Sequence, residues 1–269
     1  MIVTVDTGGT KTLVATFNTD GQVTAKHKFP TPPEPVDYIR ELSATIEMLL
    51  DSQAPTLISL AIPGITENGV VKWCGNLGWK GFDVGAELKA RFDVPVIIEN
   101  DANLAGLAES RALPETPRFC LYVTLSTGIG TGVIRDGQID PWLRRSEGGH
   151  AYMEFQGQLQ DWEDFASGSS IVKAYGKLAS EITDPSSWDE IAERVSRGFL
   201  TLIPVLQPDV VIIGGGFGGH FEKFRAKFEE ILKSYLPETF VYPQFYVAAH
   251  PEEAVIYGCY YHALDSVAT

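Results

Sequence analysis

The chain has little cysteine, few cations and no long apolar run, and each shortage excludes something. Only Cys74, Cys120 and Cys259 occur among its 269 residues. Odd in number and far apart, they make neither a disulfide framework nor a CxxC metal or redox pair. Each reads as a small packed hydrophobe in a reducing compartment, with the cytoplasm as the default. No apolar stretch approaches the roughly 20 residues that span a bilayer. The opening "MIVTVDTGG" enters strand-like alternation with no basic leader or cleavage site, so a targeting segment is not expected. Lys and Arg number 21 against 35 Asp and Glu, a net charge of −14. Such a surface field repels nucleic-acid phosphates. Arg144-Arg145 is an isolated basic pair, so neither nucleic acid nor membrane is expected as a partner.

What is present is an ordinary globular composition, 44% apolar and 21% charged. The length suits one large domain or two lobes. "MIVTVDTGG", "TLVATFNTD" and "GQVTAKHKF" read as strands, the last two turned at Asp20-Gly21. "DYIRELSATIEMLLD" has helical spacing, "TLISLAIPG" is a strand, "GAELKARFD" a helix, and "VPVIIEN" with "DANLAGLAESRAL" another strand and helix. The pattern then restarts with "FCLYVTLSTGIG", "TGVIRDG" and "QID". Helical stretches "DFASGSSIVKAYGKLAS" and "WDEIAERVSRGFLTLIPVL" follow, then the strand "DVVIIGGG". The chain closes with helix "HFEKFRAKFEEILKSYL", strand "QFYVAAH" and helix "AVIYGCYYHAL". This order predicts an α/β fold with partly parallel sheets covered by helices. "VDTGGTKTLVATFNTDGQV" and "LSTGIGTGVIRDGQI" share one order of strand, Thr-Gly turn, strand and Asp-Gly-Gln turn, which points to a duplicated architecture.

Two glycine turns can meet an anion. Asp6-Thr7-Gly8-Gly9-Thr10 and Thr127-Gly128-Ile129-Gly130-Thr131-Gly132 both join strands, where glycine lets backbone N–H groups approach phosphate. Each reads equally as a tight hairpin, and neither has the P-loop pattern. Asp6 beside a phosphate suits Mg²⁺, or acts as an Asx-turn acceptor. Lys11 offers phosphate a point charge or is simply a solvated strand residue. In "VVIIGGGFGG" the bare backbone of Gly214 to Gly216 suits a flat nucleoside, or else a close-packed turn.

Polar residues gather elsewhere. "VIIENDANLAGLAES" drives an apolar strand into Asn100-Asp101, either as a helix cap or as a site at the carboxyl end of a strand. Glu147, Gly148, Gly149 and His150 follow the second hairpin, and Glu163 lies in "DWEDFASGS". Singly, each has a structural reading. Together they form the donor and acceptor inventory a polyol requires, with a carboxylate to spare for taking a proton.

On these residues the chain resembles the ROK family of sugar kinases, within the actin-like ATPase superfamily. The matching pieces are "DTGGTKT", "AIPGI" with "GNLGW", "ENDANLAGLAE", "STGIGTG", "EGGH", "WEDFASG" and "VIIGGG", in family order over nearly the whole chain. "ENDAN" with "EGGH" is the specific part, and it tips the Asn100-Asp101 question toward catalysis. The resemblance implies a two-lobe actin-like, ribonuclease H-like α/β fold with duplicated mixed β-sheets and an interlobe cleft. Residues 1–115, completed by 253–269, would form the N-terminal lobe and 116–252 the C-terminal lobe. It implies Asp101 as general base, and Asn100, Glu147, His150 and Glu163 as ligands of the other sugar hydroxyls. Gly8, Gly9, Thr10 and Lys11, with Thr127 and Gly128, would cradle the donor phosphates. Asp6 would place Mg²⁺, and Gly214, Gly215 and Gly216 would border adenosine. ATP and Mg²⁺ are the implied cofactors, a hexose and a nucleotide the implied partners, and a homodimer the implied assembly.

The chain departs from the family at its CxCGxxGC zinc loop. Aligned back from Glu163 without gaps, the cysteine positions hold Glu154, Gln156 and Asp161, and only Gly157 survives. Thiolate zinc binding is excluded and no zinc is expected; a carboxylate-based metal at Glu154 and Asp161 is the alternative. In zinc-bearing relatives the motif His also binds the metal, so here a carboxylate or backbone carbonyl has to fix the His150 ring. Zinc-free compact members include polyphosphate-dependent glucokinases, which leaves the donor open. The family's repressors add an N-terminal helix-turn-helix, and a repressor role is not expected. The leading expectation is phosphoryl transfer from ATP to a hexose, glucose at its 6-hydroxyl first. Alternatives are N-acetylglucosamine, N-acetylmannosamine or fructose as acceptor, polyphosphate as donor, and, from another class, a catalytically silent sugar or nucleotide sensor.

Overall fold

The structure is a computed structural model that describes residues 1–67, 69–74, 77–250 and 252–268, with Ala268 in backbone only. Its chain divides into two compact units, Met1–Ala108 with Glu253–Thr269, and Glu109–Glu252. In the first, strands β1 (Ile2–Thr7), β2 (Lys11–Phe17) and β3 (Val23–Pro30) form an antiparallel meander, followed by helix α1 (Pro35–Leu50). Strand β4 (Leu57–Ala61) precedes three short strands, β5 (Ile65–Glu67), β6 (Val70–Trp73) and β7 (Phe82–Asp83). Helix α2 (Val84–Phe92), strand β8 (Val96–Glu99) and helix α3 (Asp101–Ala112) follow, and helix α9 (Ala254–Ala268) comes last in the chain. The main sheet has the order β3-β2-β1-β4-β8, with β1, β4 and β8 parallel.

Alternation explains the layers. Val3, Val5, Val14, Ile58 and Leu60 pack with Tyr38, Leu42 and Ile46 of α1 and Leu88 of α2. The opposite residues Leu13, Ala15 and Phe17 pack with Ile256 and Tyr260 of α9. Period-two burial on both faces is what a sheet covered by helices on each side demands.

The second unit repeats the plan. Strands β9 (Phe119–Leu125), β10 (Ile129–Arg135) and β11 (Gln138–Ile139) are antiparallel, and a hairpin of β12 (Tyr152–Phe155) and β13 (Gln158–Asp161) follows. Next come helices α4 (Trp162–Ala166), α5 (Gly168–Tyr175) and α6 (Pro185–Leu206), then strand β14 (Val210–Gly214). A single turn α7 (Gly215–Gly218), helix α8 (Arg225–Tyr235) and strand β15 (Gln244–Val247) complete it. Its sheet order is β11-β10-β9-β14-β15, again antiparallel on one side of β9 and parallel on the other. The duplicated, mixed-sheet α/β fold expected from the sequence is present. Phe199 of α6 and Phe228 of α8 meet edge-on at 5.0 Å in the core of this unit.

Three local expectations differ from the structure. The helix expected over 164–180 is broken at Ser167, which ends α4 and caps α5 by accepting the Ser170 N–H. Helix α5 cannot extend α4 because its Gly168 N–H is drawn to the Ser126 carbonyl at 2.7 Å. The β12–β13 hairpin occupies the segment in which the sequence holds Glu154, Gln156 and Asp161, and its short, half-polar strands give no clear alternation. The β5–β6–β7 sheet escaped notice for the same reason. Of "GNLGW", Gly75 and Asn76 lie outside the described residues, and Trp79 is buried with its indole N–H on the Pro33 carbonyl.

Candidate active site

In the first unit, parallel register builds the site. Asp6 of β1 stands opposite Ala61 of β4, and Ala61 opposite Glu99 of β8, so all three occupy one row at the carboxyl ends of the strands. Asn100 and Asp101 follow at once. Asn100 is the cap expected of an Asn there: its Oδ1 accepts the N–H groups of Ala102 (2.8 Å) and Asn103 (3.3 Å). Its Nδ2 donates to the Gly64 carbonyl at 3.2 Å, leaving one amide hydrogen for a ligand. Capping and substrate binding are therefore compatible.

Asp101 opens α3, and its Oδ1 accepts the Ala102 N–H at 2.9 Å. Burial raises its carboxyl above the ordinary 3.8, against the lowering effect of that hydrogen bond. Asp6 is pushed up to about 7, first by burial and then by the charge of Asp101, with Lys28 pulling the other way. Two desolvated carboxylates that repel each other fit a divalent cation, which would relieve both burdens. Among the described residues no group of three or more His, Cys, Asp or Glu could hold a metal. A Mg²⁺ at Asp6 would thus take most of its ligands from phosphate and water, as this ion commonly does.

Sequence reasoning passed over Glu99. It is 3% exposed, and its Oε1 accepts the Asn100 N–H (2.9 Å) and the Asn103 side-chain amide (3.0 Å), so it orients the whole Asn100-Asp101 turn. A carboxylate ending an apolar strand was the available signal. The glycine turn beside Asp6 is braced from behind. Thr31 donates its hydroxyl to the Gly8 carbonyl (2.7 Å) and its N–H to the Thr10 carbonyl (3.0 Å). Gly9, Thr10 and Lys11 are exposed.

The second unit assembles a different cluster. Thr127 and Gly128 link β9 to β10, and their loop is pinned by α5. The Ser126 carbonyl accepts the Gly168 N–H at 2.7 Å, and the Thr127 carbonyl accepts the Ser169 hydroxyl at 2.7 Å. A trans peptide sets its N–H opposite its C=O, so the N–H groups of Thr127 and Gly128 face away from α5. The next one, of Ile129, donates to Glu163 Oε2 at 2.8 Å. A Cβ on Gly128 would collide with that same carboxylate oxygen. Glycine at this position makes room for Glu163 as well as for an anion.

Glu163 is placed by its neighbour. Trp162 is fully buried, packs edge-on against Phe199 at 5.4 Å, and fits only because Gly198 of α6 has no side chain. Burying a residue of this size stabilises α4 by about 3 kcal/mol. Glu147, Gly148, Gly149 and His150 form a strap laid on β10. The Gly148 N–H donates to the Thr131 hydroxyl at 3.0 Å, and any side chain on Gly149 would strike the Ile129 carbonyl.

His150 Nδ1 lies 3.0 Å from Asp161 Oδ2. Burial pulls the imidazole pKa down, but the Asp161 hydrogen bond and the charges of Glu163, Asp161 and Glu147 outweigh it, leaving a net rise. Glu147, His150 and Glu163 are therefore brought together. Of the two carboxylates of this hairpin, Asp161 answers to His150, while Glu154 accepts the Gly157 N–H of the hairpin turn at 2.6 Å. They serve separate partners. The glycines at the end of β14 and just past it divide likewise. A Cβ on Gly214 would strike Tyr122 and one on Gly215 the Leu125 carbonyl, whereas Gly216 faces open space.

Two mixed sheets of identical strand order, each with polar chemistry at its strand ends or on straps laid against it, define an actin-like ATPase fold of the kind sugar kinases use. The ROK family model matches residues 2–265, and the chain belongs to that family. A fructokinase of Zymomonas mobilis subsp. mobilis is 28% identical over 260 residues, covering 86% of this chain and 85% of the relative. A glucokinase of Streptomyces coelicolor is 25% identical over 264 residues, covering 80% and 82%. Among solved structures, an inorganic polyphosphate/ATP-glucomannokinase from Arthrobacter sp. strain KM superposes with a TM-score of 0.74 at 28% identity, covering 98% of each chain. No helix among the described residues is long and apolar enough to cross a membrane.

Proposed function

We propose that this ROK-family sugar kinase transfers the γ-phosphoryl group of ATP to a hexose, with glucose at its 6-hydroxyl as the preferred acceptor. The observation that carries this reading is the Asp101 carboxylate, desolvated at the carboxyl end of β8 and repelled by Asp6. A carboxylate whose proton affinity is raised is a better base than a solvated one. Asp101 takes the hydroxyl proton as the sugar oxygen bonds to phosphorus and the β,γ-bridging oxygen departs with ADP. Asn100, Glu147, His150 and Glu163 hold the remaining hydroxyls. The N–H groups of Thr127 and Gly128, with Gly8, Gly9, Thr10 and Lys11, receive phosphate oxygens, and Gly214, Gly215 and Gly216 border adenosine. A Mg²⁺ at Asp6 supplies neutralisation of the phosphate charge. Such transfers depend on positioning and charge far more than on covalent chemistry.

Glucose is favoured by the glucokinase and glucomannokinase relatives, and the fructokinase keeps fructose as an alternative. The glucomannokinase also supports polyphosphate as a second donor. Crossing ATP and polyphosphate with glucose, mannose, fructose, N-acetylglucosamine and N-acetylmannosamine tests the reading. The expected result is glucose-dependent ADP release requiring Mg²⁺. Binding of sugar and nucleotide without turnover in any combination would make the protein a sensor.

A further inference from the structure

The geometry points to Asp161 as the positioning residue that fixes the His150 ring and its tautomer, in place of a metal. Asp161 ends β13 and stands at the N-cap position of α4, where an Asp side chain ordinarily accepts a first-turn N–H. It makes no such bond. Its Oδ2 is turned instead to His150 Nδ1, 3.0 Å away.

The hairpin exists to close that gap. Tyr152 pairs with Asp161, and the Trp162 N–H donates to the Ala151 carbonyl at 3.0 Å, so residues 150 and 161 are neighbours across the open end. At the closed end Gln156 and Gly157 both have positive φ, +53° and +79°, between the paired Phe155 and Gln158. That is a two-residue type I′ turn, which fixes register. Phe155 stacks on Phe165 of α4 at 4.4 Å with planes 5° apart, fastening the hairpin to the helix that carries Glu163.

A carboxylate accepts hydrogen bonds and cannot donate them when ionised, so the proton of neutral His150 sits on Nδ1. Nε2 is then a lone-pair acceptor with one orientation, the state in which it takes a hydrogen bond from a sugar hydroxyl. Without Asp161 the ring is free to hold its proton on Nε2 and lose that capacity. Glu147, Glu163 and Asp161 are charged groups that act on His150, and Tyr152 faces Asp161. The structural half of this inference stands on the hairpin geometry; the half that concerns sugar affinity rests on the hexose-kinase reading.

The experiment has two arms on the full chain. Long-range ¹H–¹⁵N correlation spectra of the imidazoles, with His150 assigned by its loss in H150Q, report the tautomer without any turnover. Neutral His150 is expected as the Nδ1–H form in the native protein, and Asp161→Asn is expected to shift it toward Nε2–H. An Nε2–H ring in the native protein overturns the inference, and that measurement needs no variant of Asp161 to fold. In the kinetic arm, Asp161→Asn is expected to raise the hexose KM about 10-fold, with the donor KM and kcat little changed. Asp161→Glu should recover part of the loss. An unchanged hexose KM alongside an altered tautomer overturns the sugar-binding half. No turnover by the native enzyme with any sugar would instead defeat the kinase reading and leave the spectroscopic arm decisive.

Discussion

The two units use one strand order for opposite electrostatic ends. In the first, carboxylates lie at strand ends: Asp6 in β1, and Asp101 two residues past the end of β8. In the second, the corresponding ends of β9 and β15 carry Ser126-Thr127 and Ala248-Ala249, with no acid. Its carboxylates Glu147 and Glu163 come from segments added between β11 and α5. The first arrangement desolvates two acids at strand ends, Asp6 and Asp101, and raises both. The second spreads its acids around an imidazole, and the Ile129 N–H donates to Glu163. The repeated strand order supplies the scaffold, and the segments between β11 and α5 decide the charge.

Removing Asp101 breaks the comparison most severely. Asp101→Asn should lower kcat by about 10²–10⁴-fold with the hexose KM nearly constant, read by coupled steady-state kinetics. Wild-type turnover would take the base role from this residue. Next in size is Gly149→Ala, whose methyl collides with the Ile129 carbonyl. It should cost about 3 kcal/mol of stability, read as a fall in the urea midpoint. Full stability would mean the strap does not lie on β10. Glu163→Gln should keep the Ile129 hydrogen bond yet raise the hexose KM about 10-fold, since an amide replaces one charged acceptor.

The smallest effect concerns Asp6 and pH. Its folded pKa of about 7 exceeds the ordinary 3.8, so between those values the folded protein holds a proton the unfolded chain has lost. This contribution is whole below about 3.8 and declines as pH rises through about 7. Asp6→Asn should therefore melt at a higher temperature than the native protein at pH 8 without ligands, and at the same temperature at pH 4. A lower melting point at pH 8 would show that Asp6 is stabilised, rather than strained, by its surroundings.

Much of this was legible beforehand. Alternating β-branched residues and Asp-Gly turns mark both meanders, because period-two burial imposes the alternation itself. The polar motifs named Asn100, Asp101, Glu147, His150 and Glu163 as candidates. Illegible were β5 to β7 and the β12–β13 hairpin, where strands of two to four residues leave no measurable period. Glu99 was hidden by its strand, and the role of Gly128 by the absence of any local hint that Glu163 approaches it.

What the sequence determined by itself is local: strands, helices, the turn residues that permit positive φ, and the cap after β8. All of these depend on neighbours within a few positions. Tertiary structure alone decided that Asp6 feels Asp101 across parallel strands, and that Asp161, eleven residues from His150, replaces a helix cap bond with a grip on its ring. Such pairings follow from register and packing between distant segments, and spacing along the chain does not encode distance in space.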